Sequence, residues 1–135
     1  EYIFNTVKKC KEVDKIYVNS SDEFILEEAK KNGFETIVRP EYLNSSSSTG
    51  NDLLKFEMEF LKEDIICQVF VTTPFLKSKT IDNSIKTFLR NTFIKENSRI
   101  TKNRKIIEVD LNEAIDIDDI LDFNLAEAFC KTNNI

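Results

Sequence analysis

Residues 112–127 read NEAIDIDDILDFNLAE, and within them Asp116 and Asp118 flank a single isoleucine. In extended backbone, residues i and i+2 point to the same side, so the two carboxylates share a face with Ile115 and Ile117 opposite. Like charges that close repel unless water, a helix N-terminus or a metal ion compensates them. The chain contains no histidine, so an ion here would be held by oxygen, which favours Mg²⁺, Mn²⁺ or Ca²⁺. Two carboxylates acting together with substrate phosphates are a common way of binding Mg²⁺. The competing assignment is helix capping, with Asp118 or Asp119 as the cap and Asp122 near the positive end of the helix that follows. The two assignments are compatible if Asp119 and Asp122 serve the helix and Asp116 and Asp118 the ion.

Three further groups of polar residues could take part in chemistry. Arg39 directly precedes Pro40, which keeps its backbone extended and carries its guanidinium away from the strand end. It could bind a phosphate or a base carbonyl, or form a surface ion pair with Glu41 or Glu35. The serine run 45–48 offers hydroxyls and amides suited to an anion or a nucleobase, although most serine-rich loops are only loops. Thr72 and Thr73 before Pro74 are a weak signal when taken alone.

The elements that must position these residues follow from pattern and punctuation. EYIFNTVKKCKEV places Ile3, Val7 and Cys10 at helical spacing, giving a helix over residues 1–12. KIYVNS is a short buried-type strand, and SDEFILEEAKKNG runs from an N-cap candidate, Ser or Asp, to a stop at Gly33. ETIVRP is a second strand closed by Pro40. EYLNSSSSTGND is a polar loop, and NDLLKFEMEFLKE an amphipathic helix with Leu53, Leu54, Glu57, Met58 and Leu61 in register. DIICQVFVTT is a near-continuous apolar run, as expected of a central parallel strand. SKTIDNSIKTFLRNTFIKEN carries Ile81, Ile85, Leu89 and Phe93 on one stripe. KIIEVDL is a last strand, and DDILDFNLAEAFCK a last helix with Leu121, Leu125, Ala128 and Phe129. Strands alternating with helices predict an α/β layered sandwich. The loops VRPEYLNSSSSTG, TTPF and AIDID would follow three of its strands, where ligands collect in open α/β sheets.

Composition narrows the chemistry. The 135 residues, 41% hydrophobic and 32% charged, suit one globular domain. A net charge of −5 argues against a nucleic-acid partner. The one basic cluster, Lys95, Arg99, Lys102, Arg104 and Lys105, reads as a solvated loop or helix end, or as a contact for phosphate, carboxylate or another subunit. No apolar run approaches the ~20 residues of a membrane span, so no membrane role is expected. Cys10, Cys67 and Cys130 are odd in number and unpaired in pattern, which predicts three ordinary buried thiols in a reducing, cytoplasmic setting. The lack of histidine removes Ser-His-Asp and Cys-His nucleophiles and imidazole zinc sites. With only Gly33 and Gly50, a glycine-rich phosphate loop is absent from these residues.

VRPEYL, TTPFLKSKTI and EAIDIDDILDFNLAEA, in this order and roughly this spacing, resemble the cytidylyltransferases that activate acidic sugars. The nearest likeness is to the acylneuraminate cytidylyltransferase (CMP-N-acetylneuraminic acid synthetase) family. The last motif is the most specific, and the resemblance covers nearly the whole chain. It implies a Rossmann-like three-layer α/β/α sandwich with a mainly parallel sheet, of the nucleotide-diphospho-sugar transferase type, usually a homodimer. It implies that CTP and a sialic-type sugar acid give the CMP-sugar and pyrophosphate. The anomeric hydroxyl would attack the α-phosphorus in line, with Mg²⁺ or Mn²⁺ assisting and no covalent enzyme intermediate. Positioning and charge neutralisation carry such a reaction, so the lack of histidine is no obstacle. Carried across, Asp116 and Asp118 look like the catalytic metal ligands. Arg39, Ser48 and Thr49 look like the nucleotide site, and Thr72, Thr73 and Pro74 like the cleft floor beside the sugar.

The sequence also departs from that family. Members open with a strand and a loop rich in Arg, Gly, Ser and Lys around the triphosphate, and carry a further segment before the last strand. Residues 1–135 are therefore expected to be a single cytidylyltransferase-like domain lacking segments before residue 1 and near 90–98. Phe70 stands where many members have a glutamine near the sugar. Two alternatives remain open: a catalytically inactive nucleotide-binding or assembly module with the same fold, or a metal-dependent glycosyltransferase, which also uses Asp-x-Asp.

Overall fold

The computed structural model describes residues 2–63, 66–85 and 107–135. Positions 90–98, Leu89, Phe93 and the basic cluster from Lys95 to Lys105 lie outside the described residues. In chain order the elements are α1 (Tyr2–Val7), β1 (Tyr17–Ser20), α2 (Glu23–Lys31), β2 (Glu35–Val38), a 3-10 turn at Glu41–Asn44, α3 (Gly50–Phe60), α4 (Ser78–Ile85) and α5 (Ile120–Asn133). The described residues form two compact units. One, the βα unit, comprises residues 13–63 and 66; the other, the helical unit, comprises residues 2–12, 67–85 and 107–135.

In the βα unit, β1 and β2 pair in parallel, with Tyr17 opposite Glu35 and Ser20 opposite Val38. A parallel pair needs a long crossover, and α2 provides it. Asp22 caps that helix, its Oδ1 accepting from the amides of Phe24 (2.8 Å) and Ile25 (3.2 Å). The helix ends in a Schellman arrangement: the Gly33 amide donates to Lys30 O (2.9 Å) and the Phe34 amide to Ala29 O (3.0 Å). This closure needs a left-handed residue after the cap, and Gly33 has φ +80°. The chain can then turn back into β2 and bury Phe34 and Ile37 with Leu26 and Ala29 of α2. Each large apolar side chain buried there contributes about 2 kcal/mol. Helix α3 and the segment that follows it are each tied to β1 by one hydrogen bond. Asn19 Nδ2 donates to Glu57 Oε1 (2.8 Å), and the Tyr17 hydroxyl donates to Glu63 Oε1 (3.0 Å).

In the helical unit, Ile3 of α1, Ile81 of α4 and Ala126 of α5 are buried. The segment after α1 is fastened to α4 by Asp82, which accepts from the amides of Lys11 (2.9 and 3.1 Å) and Glu12 (3.0 Å). Phe75 packs against Tyr2 and Phe129, with ring centroids 6.3 and 4.8 Å apart.

Several expectations are corrected. The helix expected over residues 1–12 stops at Val7. The apolar run 64–73 forms no strand over its described residues 66–73, and neither does KIIEVDL over residues 107–111. Apolarity reports a tendency to be covered, whereas a strand exists only when a neighbour completes its hydrogen-bond ladder. Among the described residues the one sheet is β1 with β2, and no ladder forms along these runs. The mixed helix and strand architecture with a small parallel sheet is compatible with a Rossmann-like nucleotidyltransferase fold. The cysteines are not buried either: Cys67 is exposed, Cys10 and Cys130 are partly so, and all three are free thiols. On α5 the buried face is centred on Ala126, while Leu121 and Leu125 are 75% and 60% exposed. Apolar residues surround this helix nearly evenly, so spacing alone could not select the covered face.

Gly33→Ala should lower unfolding free energy by about 1–2 kcal/mol. Nothing lies within 4 Å of an added Cβ, so the whole cost is the left-handed backbone. Urea denaturation followed by circular dichroism checks this, and an unchanged midpoint would refute it.

Candidate active site

The helical unit brings the Thr72–Pro74 loop and the aspartate pair together. The Ile117 amide donates to the Thr72 carbonyl at 2.9 Å, and Ile117 lies between the two aspartates in sequence. Along residues 115–118 the isoleucines are half-buried and the aspartates exposed, the alternation that extended backbone produces. Asp116 and Asp118 therefore present their carboxylates on one accessible face.

Helix capping is assigned to their neighbours. Asp119 Oδ1 accepts from the amides of Leu121 (2.8 Å) and Asp122 (3.0 Å). Asp122 Oδ2 accepts in return from the amides of Asp119 (3.3 Å) and Asp118 (3.1 Å). This reciprocal box satisfies amide donors that the first turn of α5 would leave open. Of the two capping candidates, the helix takes Asp119, and Asp118 contributes only its amide. Among the described residues no side chain pairs with either carboxylate of Asp116 or Asp118.

Upstream, the segment is held by Glu113, the only buried charged side chain among the described residues, at 4% exposure. Its Oε2 accepts from the Lys77 amide (2.9 Å) and the Thr80 hydroxyl (2.7 Å), and its Oε1 meets Lys77 Nζ at 3.0 Å. The carboxylate thus sits at the N-terminus of α4, where negative charge is favoured. Burial pushes Glu113 up, but the Thr80 hydroxyl, the Lys77 amide and the Lys77 ammonium together hold it below the usual glutamate value. Lys77 also bonds Asp110 at 2.7 Å. The residues around Asp116 and Asp118 are anchored at both ends, by Glu113 before them and by the Asp119–Asp122 box after them.

The loop partner is fixed too. Thr73 Oγ1 donates to Phe70 O at 2.9 Å, and Phe75, directly after Pro74, is seated between Tyr2 and Phe129. Thr73 therefore builds the turn, whereas the Thr72 hydroxyl is unpaired among the described residues.

The nucleotide candidates Arg39, Ser48 and Thr49 all lie in the βα unit. Arg39 directly follows β2, its amide donating to Ser20 O (2.9 Å). Its side chain lies along β1, Nε donating to Asn19 Oδ1 (3.1 Å) and Nη2 to Asn19 O (2.8 Å). No ion pair joins it to Glu35 or Glu41 among the described residues, so its charge is left for another partner. Ser48 Oγ donates to Tyr42 O (3.0 Å) and meets Ser45 Oγ at 3.1 Å. Thr49 is the N-cap of α3. Its Oγ1 accepts from the Asp52 amide (3.3 Å) and donates to Asp52 Oδ2 (2.6 Å), which also accepts the Thr49 amide (2.9 Å). The Thr49 hydroxyl and amide hold the Asp52 carboxyl below its ordinary value. A cavity of ≈ 430 Å³ opens beside Tyr42, Ser45, Ser48, Asp52, Lys55 and Phe56, so Ser48 lines open space while Thr49 serves the helix.

Reasoning from the sequence missed Glu113, Lys77 and Asn19. Glu113 stands within the EAIDID motif, yet nothing local separates it from a solvated glutamate. Its partners are 33 and 36 residues away.

Among the described residues no group of three or more His, Cys, Asp or Glu side chains is placed to hold a metal ion. Two exposed carboxylates with oxygen donors only suit a hard cation that takes its remaining ligands from water and substrate phosphate. Comparison with known protein families matches residues 1–129 to the family described as Cytidylyltransferase.

Glu113→Gln should destabilise the protein by about 2 kcal/mol at neutral pH, through loss of charge-assisted hydrogen bonds. Because the carboxyl titrates lower when folded than its ordinary 4.5, its contribution is full above that value and is lost as pH falls through the folded value. The stability gap between wild type and variant should therefore narrow at acid pH. Thermal unfolding from pH 7 to 3 measures it, and a constant gap would overturn the role.

Proposed function

Because the chain belongs to the cytidylyltransferase family, a family of CTP-using transferases, we propose that it activates a sialic-acid-type sugar acid. CTP and the acid give the CMP-sugar and pyrophosphate. The anomeric hydroxyl attacks the α-phosphorus in line, a carbon–oxygen–phosphorus link forms, the α–β phosphoanhydride bond breaks, and the hydroxyl proton is released. The observation that carries this reading is the bond from the Ile117 amide to the Thr72 carbonyl. It joins the two motifs that the reaction needs together, a polar loop for the sugar and an acidic pair for the triphosphate.

In this reading Asp116 and Asp118 would hold Mg²⁺ or Mn²⁺, which when bound supplies neutralisation of the triphosphate charge. The rest is positioning by the chain's own residues. The Thr72 hydroxyl is open to donate to a sugar oxygen, and Thr73 and Pro74 keep the loop in shape. Arg39 offers unspent donors to the nucleotide, and Ser48 faces the cavity beside Tyr42, where a ribose or base fits. Thr49 acts through the α3 cap, which sets the serine run in place. The reading extends to a three-layer sandwich and a cytoplasmic homodimer.

Asp116→Asn and Asp118→Asn should each reduce turnover about 100-fold or more while leaving circular dichroism and unfolding unchanged, since neither carboxylate supports the fold. Pyrophosphate release from CTP with a panel of nine-carbon keto acids tests the assignment. Release from another nucleotide but not from CTP would sink the cytidylyl reading. Wild-type rates in both variants at low Mg²⁺ would sink the metal role.

A further inference from the structure

We propose that Asn19 is a positioning residue that sets which edge of Arg39 meets the nucleotide, and that it thereby favours cytosine over uracil. This rests on the nucleotide role given to Arg39 above. A guanidinium has five N–H donors in a fixed fork. Two of them, on the edge formed by Nε and Nη2, are taken by one residue: Nε by Asn19 Oδ1 at 3.1 Å and Nη2 by Asn19 O at 2.8 Å. The amide of Asn19 cannot turn over, because its Nδ2 donates to Glu57 Oε1 at 2.8 Å and a carboxylate can only accept. Glu57, Asn19 and Arg39 thus form a directional chain from α3 across β1 to the end of β2. Glu57 fixes the amide, the amide fixes the guanidinium, and all three side chains are partly buried.

The consequence is chemical. With the Nε edge occupied, the edge bearing Nη1 and Nη2 has no partner among the described residues, and it presents two parallel donors. Cytosine carries two adjacent acceptors, O2 and N3, which that edge matches in a bidentate pair. Uracil carries a donor at N3, so the same edge would set N–H against N–H, and a site built for one hydrogen-bonding pattern rejects the other. A freely rotating arginine could instead turn toward phosphate and would not discriminate between bases. The restraint on Arg39 therefore makes it a reader of the base.

The test is a double-mutant cycle on the full-length protein with Asn19→Ala, Arg39→Ala and both together, read with CTP and with UTP as competitor. Thermal unfolding verifies the fold, and Asn19→Ser serves as a second variant if alanine destabilises it. The expected result for Asn19→Ala is about a tenfold rise in the KM for CTP, the equivalent of one charge-assisted hydrogen bond. Turnover and the KM for the sugar acid should stay within about twofold, and discrimination against UTP should fall. In the double variant Asn19→Ala should add nothing to Arg39→Ala, because a residue acting only through another has no separate effect. Full additivity, an unchanged KM for CTP, or equal weakening toward CTP and UTP would each overturn the proposal. If wild type itself neither binds nor uses CTP, the nucleotide reading falls and this proposal with it. If wild type responds to CTP and Asn19→Ala behaves identically, only the present proposal falls.

Discussion

The Glu113 carboxylate is the constraint on which the acidic segment depends. A buried charge survives only if its lone pairs are filled. Here the filling comes from the start of α4: the Lys77 amide, the Thr80 hydroxyl and the Lys77 ammonium. Satisfying one carboxylate therefore fixes where the chain stands three residues before Asp116. The Asp119–Asp122 box does the same just after Asp118 by completing the first turn of α5. Between these anchors the aspartates need no partner of their own, which leaves their carboxylates open to a ligand.

A second set of contacts fixes the loop that is bonded to the aspartate segment. The Thr72 carbonyl is held by the Ile117 amide, and Phe75 is held between α1 and α5 by Tyr2 and Phe129. Pro74 lies between those two fixings and removes an amide donor and a torsional freedom. The loop is thus restrained by the Ile117–Thr72 and Thr73–Phe70 hydrogen bonds, one ring cluster and one proline. In the βα unit the corresponding device is the chain from Glu57 through Asn19 to Arg39, anchored by the pairing of β1 with β2. In the helical unit the neighbours of Asp116 and Asp118 carry the structural bonds, whereas in the βα unit Arg39, Ser48 and Thr49 are themselves hydrogen-bonded.

Elements with local causes were legible in the sequence. Asp22 and Gly33 bracket α2 because capping and a left-handed stop are decided within a few residues. The alternation of Ile115, Asp116, Ile117 and Asp118 placed both carboxylates on one face because the strand period is two. Runs 66–73 and 107–111 were misread because apolarity does not name a strand's partner. The face of α5 was misjudged because its apolar residues encircle the helix, and only its neighbours decide that Ala126 is covered while Leu121 is not.

By itself, then, the sequence determined the βα unit, the helices with clear caps, the absence of imidazole donors, and the alternation that sets Asp116 and Asp118 on one face. The tertiary structure alone decided that Arg39 lies along Asn19 and that Glu113 is buried against Lys77 and Thr80. Each of these depends on which of several equivalent polar atoms finds a partner. That choice rests on hydrogen bonds effective only within about 3 Å, between residues as far apart in the chain as Lys77 and Glu113, and no local pattern encodes a distance of that kind.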